Sequence, residues 1–164
     1  MPSSTLIGVV SDTHGLLRPE LFPALAGVTH ILHAGDVGDP EILTELARIA
    51  PVSAIRGNID GDTRAWGRWS TLAATEMIEL AGCLIYMVHA LQDLDLNPKA
   101  AGIGVVISGH SHQASVEQRQ GVLYLNPGSA GPRRFGLGIT CARLRIREAQ
   151  PEAEILTLVQ EGGS

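Results

Sequence analysis

Three short apolar runs at residues 6–10, 31–32 and 52–55 alternate with two segments of helical character, and each run breaks off into polar loop residues. Residues 19–26 follow a proline start. Residues 40–50 carry Ile42, Leu43, Leu46, Ala47 and Ile49 as an apolar stripe behind Asp39, a side chain suited to cap the helix. A β-α-β-α-β order of this kind builds a parallel sheet with crossover helices, and ligands of open α/β sheets gather at the carboxyl ends of the strands. Further apolar runs at 84–88, 105–107, 122–125 and 139–144 predict that strands dominate from residue 72 onward. The expected continuation is a second, largely antiparallel sheet with one helix near residues 97–101. No linker or low-complexity tract interrupts the chain, so residues 1–164 read as one α/β domain whose final EGGS frays.

A chain of 164 residues buries roughly 70% of the surface its unfolded form exposes, enough for a core without disulfides. Cys83 and Cys141 sit in apolar, strand-like runs and read as buried thiols of a reducing compartment. The opening MPSSTLIGVV has no basic leader region, and no apolar run approaches the ~18 residues of a membrane span. The expected location is therefore the cytoplasm. A net charge of -5 with only 12 Lys and Arg gives no broad footprint for a nucleic-acid backbone. Many of the 19 glycines follow apolar runs, which points to a site built from loops.

The polar residues that end the runs carry the chemistry. SDTHG follows the first run, HAGD the second and RGNID the third, while VHA and SGHSH close two later ones. Together they supply Asp12, His14, Asp36, Asn58, His89, His110 and His112, all oxygen or nitrogen donors with no thiol among them. On an extended exit from the first strand, Asp12 and His14 point to the same side, so one ion can take both. Imidazole, carboxylate and carboxamide donors without thiolate suit hydrolytic Mn, Fe, Co, Ni or Zn better than a structural zinc. The set exceeds one tetrahedral ion. It matches two ions sharing a carboxylate, with room for water and substrate, as in two-metal phosphoester hydrolysis. Each piece alone has an ordinary alternative, because Gly-Asp and Gly-Asn are common turns and paired histidines also occur in solvent-facing loops. Their order along the chain carries the weight.

That order, SDTHG at residues 11–15, Gly35 with Asp36, Gly57 with Asn58, His89, then GHSH at residues 109–112, resembles the calcineurin-like metallophosphoesterase superfamily. The short chain and NPGS at residues 126–129 are similar to its small prokaryotic phosphodiesterases, relatives of the retromer scaffold subunit. The likeness runs from about residue 6 to 146. It implies a four-layer α/β/β/α sandwich of two mixed β-sheets flanked by helices, with a dimetal site at one edge. It also implies that Asp12, His14 and His112 hold one divalent ion, that Asn58, His89 and His110 hold a second, and that Asp36 bridges them. Mn leads the candidate metals, with Fe, Ni, Co and Zn compatible. By the same resemblance Asp12, His14, Asp36, Asn58 and His89 serve catalysis, in which a hydroxide between the ions attacks a small phosphodiester in line with the leaving oxygen.

The sequence departs from this pattern at two places. Larger relatives follow Gly-Asn with a histidine that protonates the leaving group, whereas Ile59 stands there in this chain. Ala90 replaces the glycine that commonly follows the fourth motif's histidine, and with Leu91 it narrows the pocket. An interaction scaffold that keeps the fold without the chemistry is the alternative reading, supported by Ile59 and opposed by the complete donor set. A nucleotide switch finds no support, since GxxxxGK[ST] and GxGxxG are absent. Several residues keep two readings. His33 either orients a donor or packs in the core, while His30 reads as surface; Asp60 either supports the site or closes a turn. Trp66 and Trp69 line a cleft, mediate a homo-oligomer contact or plug the core; Arg133 and Arg134 either steer an anion or are ordinary surface charges.

Overall fold

The computed structural model describes residues 4–134 and 136–159. β1 (Ser4–Val10), β2 (His30–His33) and β3 (Val52–Ala54) lie side by side and parallel, as the two crossovers require. The crossovers contain α1 (Leu21–Ala24) and α2 (Pro40–Leu46), both shorter than the apolar pattern predicts. Pro23 inside α1 has no N–H to continue a hydrogen-bond ladder, which leaves a single turn. α2 starts as expected, with Asp39 Oδ1 accepting from the Glu41 N–H at 2.9 Å and Pro40 in the first turn.

The second sheet comprises β4 (Thr75–Leu80), β5 (Cys83–Val88), β6 (Val105–Ile107), β7 (Ser115–Arg119) and β8 (Val122–Asn126), in the order β4-β5-β6-β8-β7. It is mixed rather than largely antiparallel: β5, β6 and β8 run parallel, and only the edges β4 and β7 are antiparallel to their neighbours. The crossover from β5 to β6 needs no helix at residues 97–101. Asn97 instead closes one turn, accepting from the Ala101 N–H at its carbonyl and from the Ala100 N–H at its side chain. β9 (Ile139–Arg147) then returns to the first sheet beside β1, and β10 (Gln150–Val159) forms its edge. The EGGS terminus lies outside the described residues.

The two sheets face each other across Ile7, Val9, Leu32, Ile85, Met87, Ile107, Leu123 and Leu144, all buried. Ile107 is fully enclosed there. Ile107→Ala is expected to cost about 2–5 kcal/mol, read as a lower urea midpoint with an unchanged m-value. Outside the first sheet, Leu21, Leu25, Leu43 and Leu46 pack on Val10 and Ile31. Trp69 belongs to this layer, its indole N–H donating to Thr44 Oγ1 at 3.0 Å, and Trp66 packs against the same cluster. Both tryptophans therefore contribute to the packing outside the first sheet, Trp69 buried and Trp66 partly so. Outside the second sheet the fourth layer is thin. A 3-10 turn at Leu91–Asp93 and the following loop lay Leu91, Leu94 and Leu96 over Tyr86, Val88 and Val106. Cys83 and Cys141 are buried and unpaired, and burial pushes the Cys141 thiol up to about 12. Among the described residues no helix is long and apolar enough to cross a membrane.

Candidate metal centre

The carboxyl ends of β1, β2 and β3 in one sheet and of β5 and β6 in the other converge on one edge of the sandwich. The structure brings all the predicted donors together there. Asp12 Oδ1 lies 3.7 Å from His14 Nε2, 3.8 Å from His89 Nε2 and 3.5 Å from His112 Nε2. Asp36 Oδ2 lies 3.4 Å from His14 Nε2 and 3.1 Å from His89 Nε2. Two trios, Asp12 with His14 and His112, and Asp36 with His89 and His110, each gather one donor atom per residue within 4.8 Å. Asn58 lines the open cleft shared with His14, Asp36, His110 and His112, and also a depression bordered by His89.

Alternation along an extended strand is not what joins Asp12 to His14. β1 ends at Val10, and both residues adopt left-handed backbone, with φ of 56° and 46°. Asp36, His110 and His112 do the same at 55°, 71° and 63°. Non-glycine residues held there cost of order 1–3 kcal/mol each, and such strain concentrates at functional sites. It persists because the loops are tied together. The N–H groups of Asp12 and His14 donate to the carbonyls of Gly35 and Asp36, both at 2.9 Å. The motif glycines are needed for close approach as well as for turning. A Cβ on Gly57 would strike the backbone N and Oδ1 of Asp36, and one on Gly109 would strike Ser11 Oγ and crowd Asp12 Oδ2.

Each carboxylate has one oxygen tied to protein and one presented to imidazoles. Asp12 Oδ2 accepts from Ser11 Oγ at 2.7 Å and from the His110 N–H at 3.0 Å, while Oδ1, fully buried, has no hydrogen-bond partner among the described residues. Asp36 Oδ1 accepts from the Ile59 N–H at 3.0 Å, which leaves Oδ2 toward His14 and His89. The His89 ring donates from Nδ1 to the Ala34 carbonyl at 2.7 Å, so its buried Nε2 carries the lone pair. A lone pair facing two carboxylates demands a cation, and imidazoles and carboxylates around orphaned buried atoms fit a divalent metal. A proton is the competitor. Burial disfavours the charged imidazole of His89, but the bond to Asp36, the Ala34 carbonyl and both carboxylates outweigh it and raise its pKa. His112 moves the other way, because burial, the neighbouring His14 and the Arg134 charge outweigh Asp12. Burial raises Asp12 despite its donors; at Asp36 burial is overcome by His89, the Ile59 N–H and His14, and the carboxyl is held well below its usual range.

Beneath the donors lie residues with supporting roles. His33 is fully buried; Nδ1 accepts from the Gly35 N–H at 3.1 Å, so Nε2–H donates to Thr13 Oγ1 at 3.0 Å, and Thr13 in turn donates to the Val37 carbonyl. Burial, helped by the His89 charge, lowers its pKa to about 3, so this ring is a neutral strut between the first two loops. Asp60 accepts from the Val37, Gly38 and Gly57 N–H groups and ties the second loop to the third. The sequence reading missed Ser129, whose hydroxyl donates to the Asp12 carbonyl at 2.9 Å, and Asn126, whose amide donates to the Gly109 carbonyl at 3.1 Å. NPGS is thus a brace behind the first and last loops, a role no local pattern announces.

Carboxylates and imidazoles gathered where two mixed sheets end make this an α/β fold with a site suited to divalent metal. Residues 6–149 match the calcineurin-like phosphoesterase superfamily domain, and the chain belongs to that family. It is 38% identical to a probable metallophosphoesterase of Methanothermobacter thermautotrophicus, covering 92% of this chain and 91% of the relative. A phosphodiesterase of Methanocaldococcus jannaschii is 28% identical, over 74% of this chain and 82% of its own. Among solved structures, an archaeal phosphodiesterase superposes with a TM-score of 0.74 at 24% identity, covering 93% of this chain and 100% of the other. Vps29 of Entamoeba histolytica in complex with zinc superposes at 0.69 with 20% identity, covering 94% and 99%. Both share the two-sheet fold.

Proposed function

We propose that this chain is a metal-dependent phosphodiesterase holding two divalent ions, Mn foremost, and acting on small phosphodiesters. The observation that carries this is the pair of carboxylates, each pinned by one oxygen and presenting the other among imidazole nitrogens. In this reading Asp12, His14 and His112 take one ion, Asn58, His89 and His110 the other, and Asp36, reached by both His14 and His89, is shared. When bound, such ions lower the pKa of a bound water toward ~7 and neutralise phosphoryl and leaving oxygens. The chain supplies the orientation: Ala34 fixes the His89 ring, Ser11 and the His110 N–H fix Asp12, and the Ile59 N–H fixes Asp36. Asn58 adds an oxygen without charge, which preserves a positive surplus for an anionic ester. Relatives described as phosphodiesterases support the diester class.

Metal-stripped protein reloaded with Mn is expected to hold up to two ions per chain by elemental analysis and to hydrolyse aryl phosphodiesters. No ions above background would overturn this reading and leave the scaffold. Activity is expected to fall in acid, because the imidazoles must be neutral to bind metal. His89, whose pKa is raised, takes its proton at a higher pH than His112, whose pKa is lowered, so the His89 ion is expected to leave first on acidification. A rate with Mn in excess that stays level from about pH 5 to 8 would contradict a histidine-rich metal site.

A further inference from the structure

The cleft over the cluster, about 410 Å³, is lined by His14, Asp36, Asn58, Ile59, His110, Ser111, His112 and one further charged side chain, Arg134. Arg134 is exposed, and its guanidinium makes no hydrogen bond or ion pair among the described residues. Its neighbour differs. Arg133 is half-buried and donates to the Leu137 carbonyl at 3.1 Å, which fastens the loop. Arg134 contributes only its carbonyl to that loop, accepting from the Leu137 N–H, so its side chain stays available to the cleft. It borders the cleft together with the imidazoles of His14, His110 and His112. A cation beside a cluster proposed to hold divalent cations is unfavourable unless an anion joins them, and a planar guanidinium matches two phosphoryl oxygens.

We propose that Arg134 is a substrate-binding residue that grips a non-bridging phosphoryl oxygen of the ester and holds it as charge builds in the transition state. This rests on the phosphodiesterase reading for the identity of the anion. The decisive measurement is calorimetric binding of inorganic phosphate to the Mn-loaded protein, for wild type, Arg134→Ala and Arg134→Lys. Arg134→Ala is expected to weaken phosphate binding about 10- to 100-fold, the usual range for losing a charge-assisted hydrogen bond. Its metal content should match wild type, and Arg134→Lys should restore part of the affinity. With an aryl diester, Arg134→Ala should raise KM and lower kcat, and added guanidinium should recover part of the rate. Phosphate binding unaffected by Arg134→Ala, or absent in wild type, overturns the proposal. Lost metal in Arg134→Ala would overturn it too, since the residue would then be supporting the ion site. A wild type that binds phosphate through Arg134 yet turns over no phosphoester sinks the phosphodiesterase reading alone.

Discussion

Asp36→Ala is expected to lose both metal ions together and to lower kcat/KM by at least about 10³-fold, about 4 kcal/mol of transition-state stabilisation. The expectation follows from position. Asp36 Oδ2 is the one carboxylate oxygen within 3.4 Å of imidazoles from both trios, His14 on one side and His89 on the other. Removing it takes the second trio's only carboxylate and the anionic oxygen beside His14 of the first. His14→Ala and His89→Ala touch different trios, so each should weaken one ion and spare much of the other. Elemental analysis across the three variants separates the patterns, and thermal unfolding of the metal-free proteins checks that the loops still fold. Asp36→Ala that retains one tightly held ion would show that the carboxylate is not shared. Asp36→Asn refines the result, since it keeps an oxygen and removes the charge. If charge balance dominates, Asn should behave much like Ala in metal affinity.

The parallel half of the first sheet was legible because the apolar stretches at residues 6–10 and 31–32, buried almost throughout, and the stretch at 52–55 alternate with helical segments. The edges were not. β7 is exposed along its whole length, and β10 opens with Gln150, Pro151, Glu152 and Glu154 and buries its Ile155, Leu156 and Leu158 only in part. The mixed character of the second sheet was hidden because its parallel β5-to-β6 crossover runs through a loop and single turns, without the helix expected near residues 97–101. The donor residues stood out because carboxylates and imidazoles at strand ends are conspicuous by type. What joins them did not stand out, since left-handed backbone at Asp12, His14 and Asp36 is imposed by hydrogen bonds between loops distant in sequence. The supports Asp60, Asn126 and Ser129 likewise act on backbone groups of other loops, and His33 reaches the Thr13 hydroxyl of the first loop, so only the assembled fold gives them these partners.

Hydrolysis of substituted phenyl phosphodiesters is expected to depend steeply on the acidity of the departing phenol, and Ile59→His is expected to flatten that dependence. Ile59 is 52% exposed and lines the cleft, and its side chain can neither give nor take a proton. General acid catalysis is typically worth ~10²–10⁴-fold, so its absence penalises poor leaving groups most. Two titratable residues beneath the donors are unsuited to replace it. Asp60 spends its carboxylate accepting from three backbone N–H groups, and His33 is fully buried, neutral and bound at both nitrogens. The remaining titratable side chains lining the cleft are proposed metal donors, whose lone pairs are committed when metal is bound, and Arg134, the proposed grip on the phosphoryl group. Nitrophenyl diesters should therefore be fast and alkyl or ribose esters slow, by a margin within that same ~10²–10⁴-fold range. A histidine at position 59 should help the alkyl esters more than the nitrophenyl ones, provided the ring reaches the departing oxygen. A wild-type rate indifferent to phenol acidity in steady state leaves two explanations, rate-limiting product release or a proton donor on the substrate side. Single-turnover kinetics separates them: a slope that appears there places the slow step after the chemistry, and a slope still flat overturns the claim that this cleft lacks a general acid.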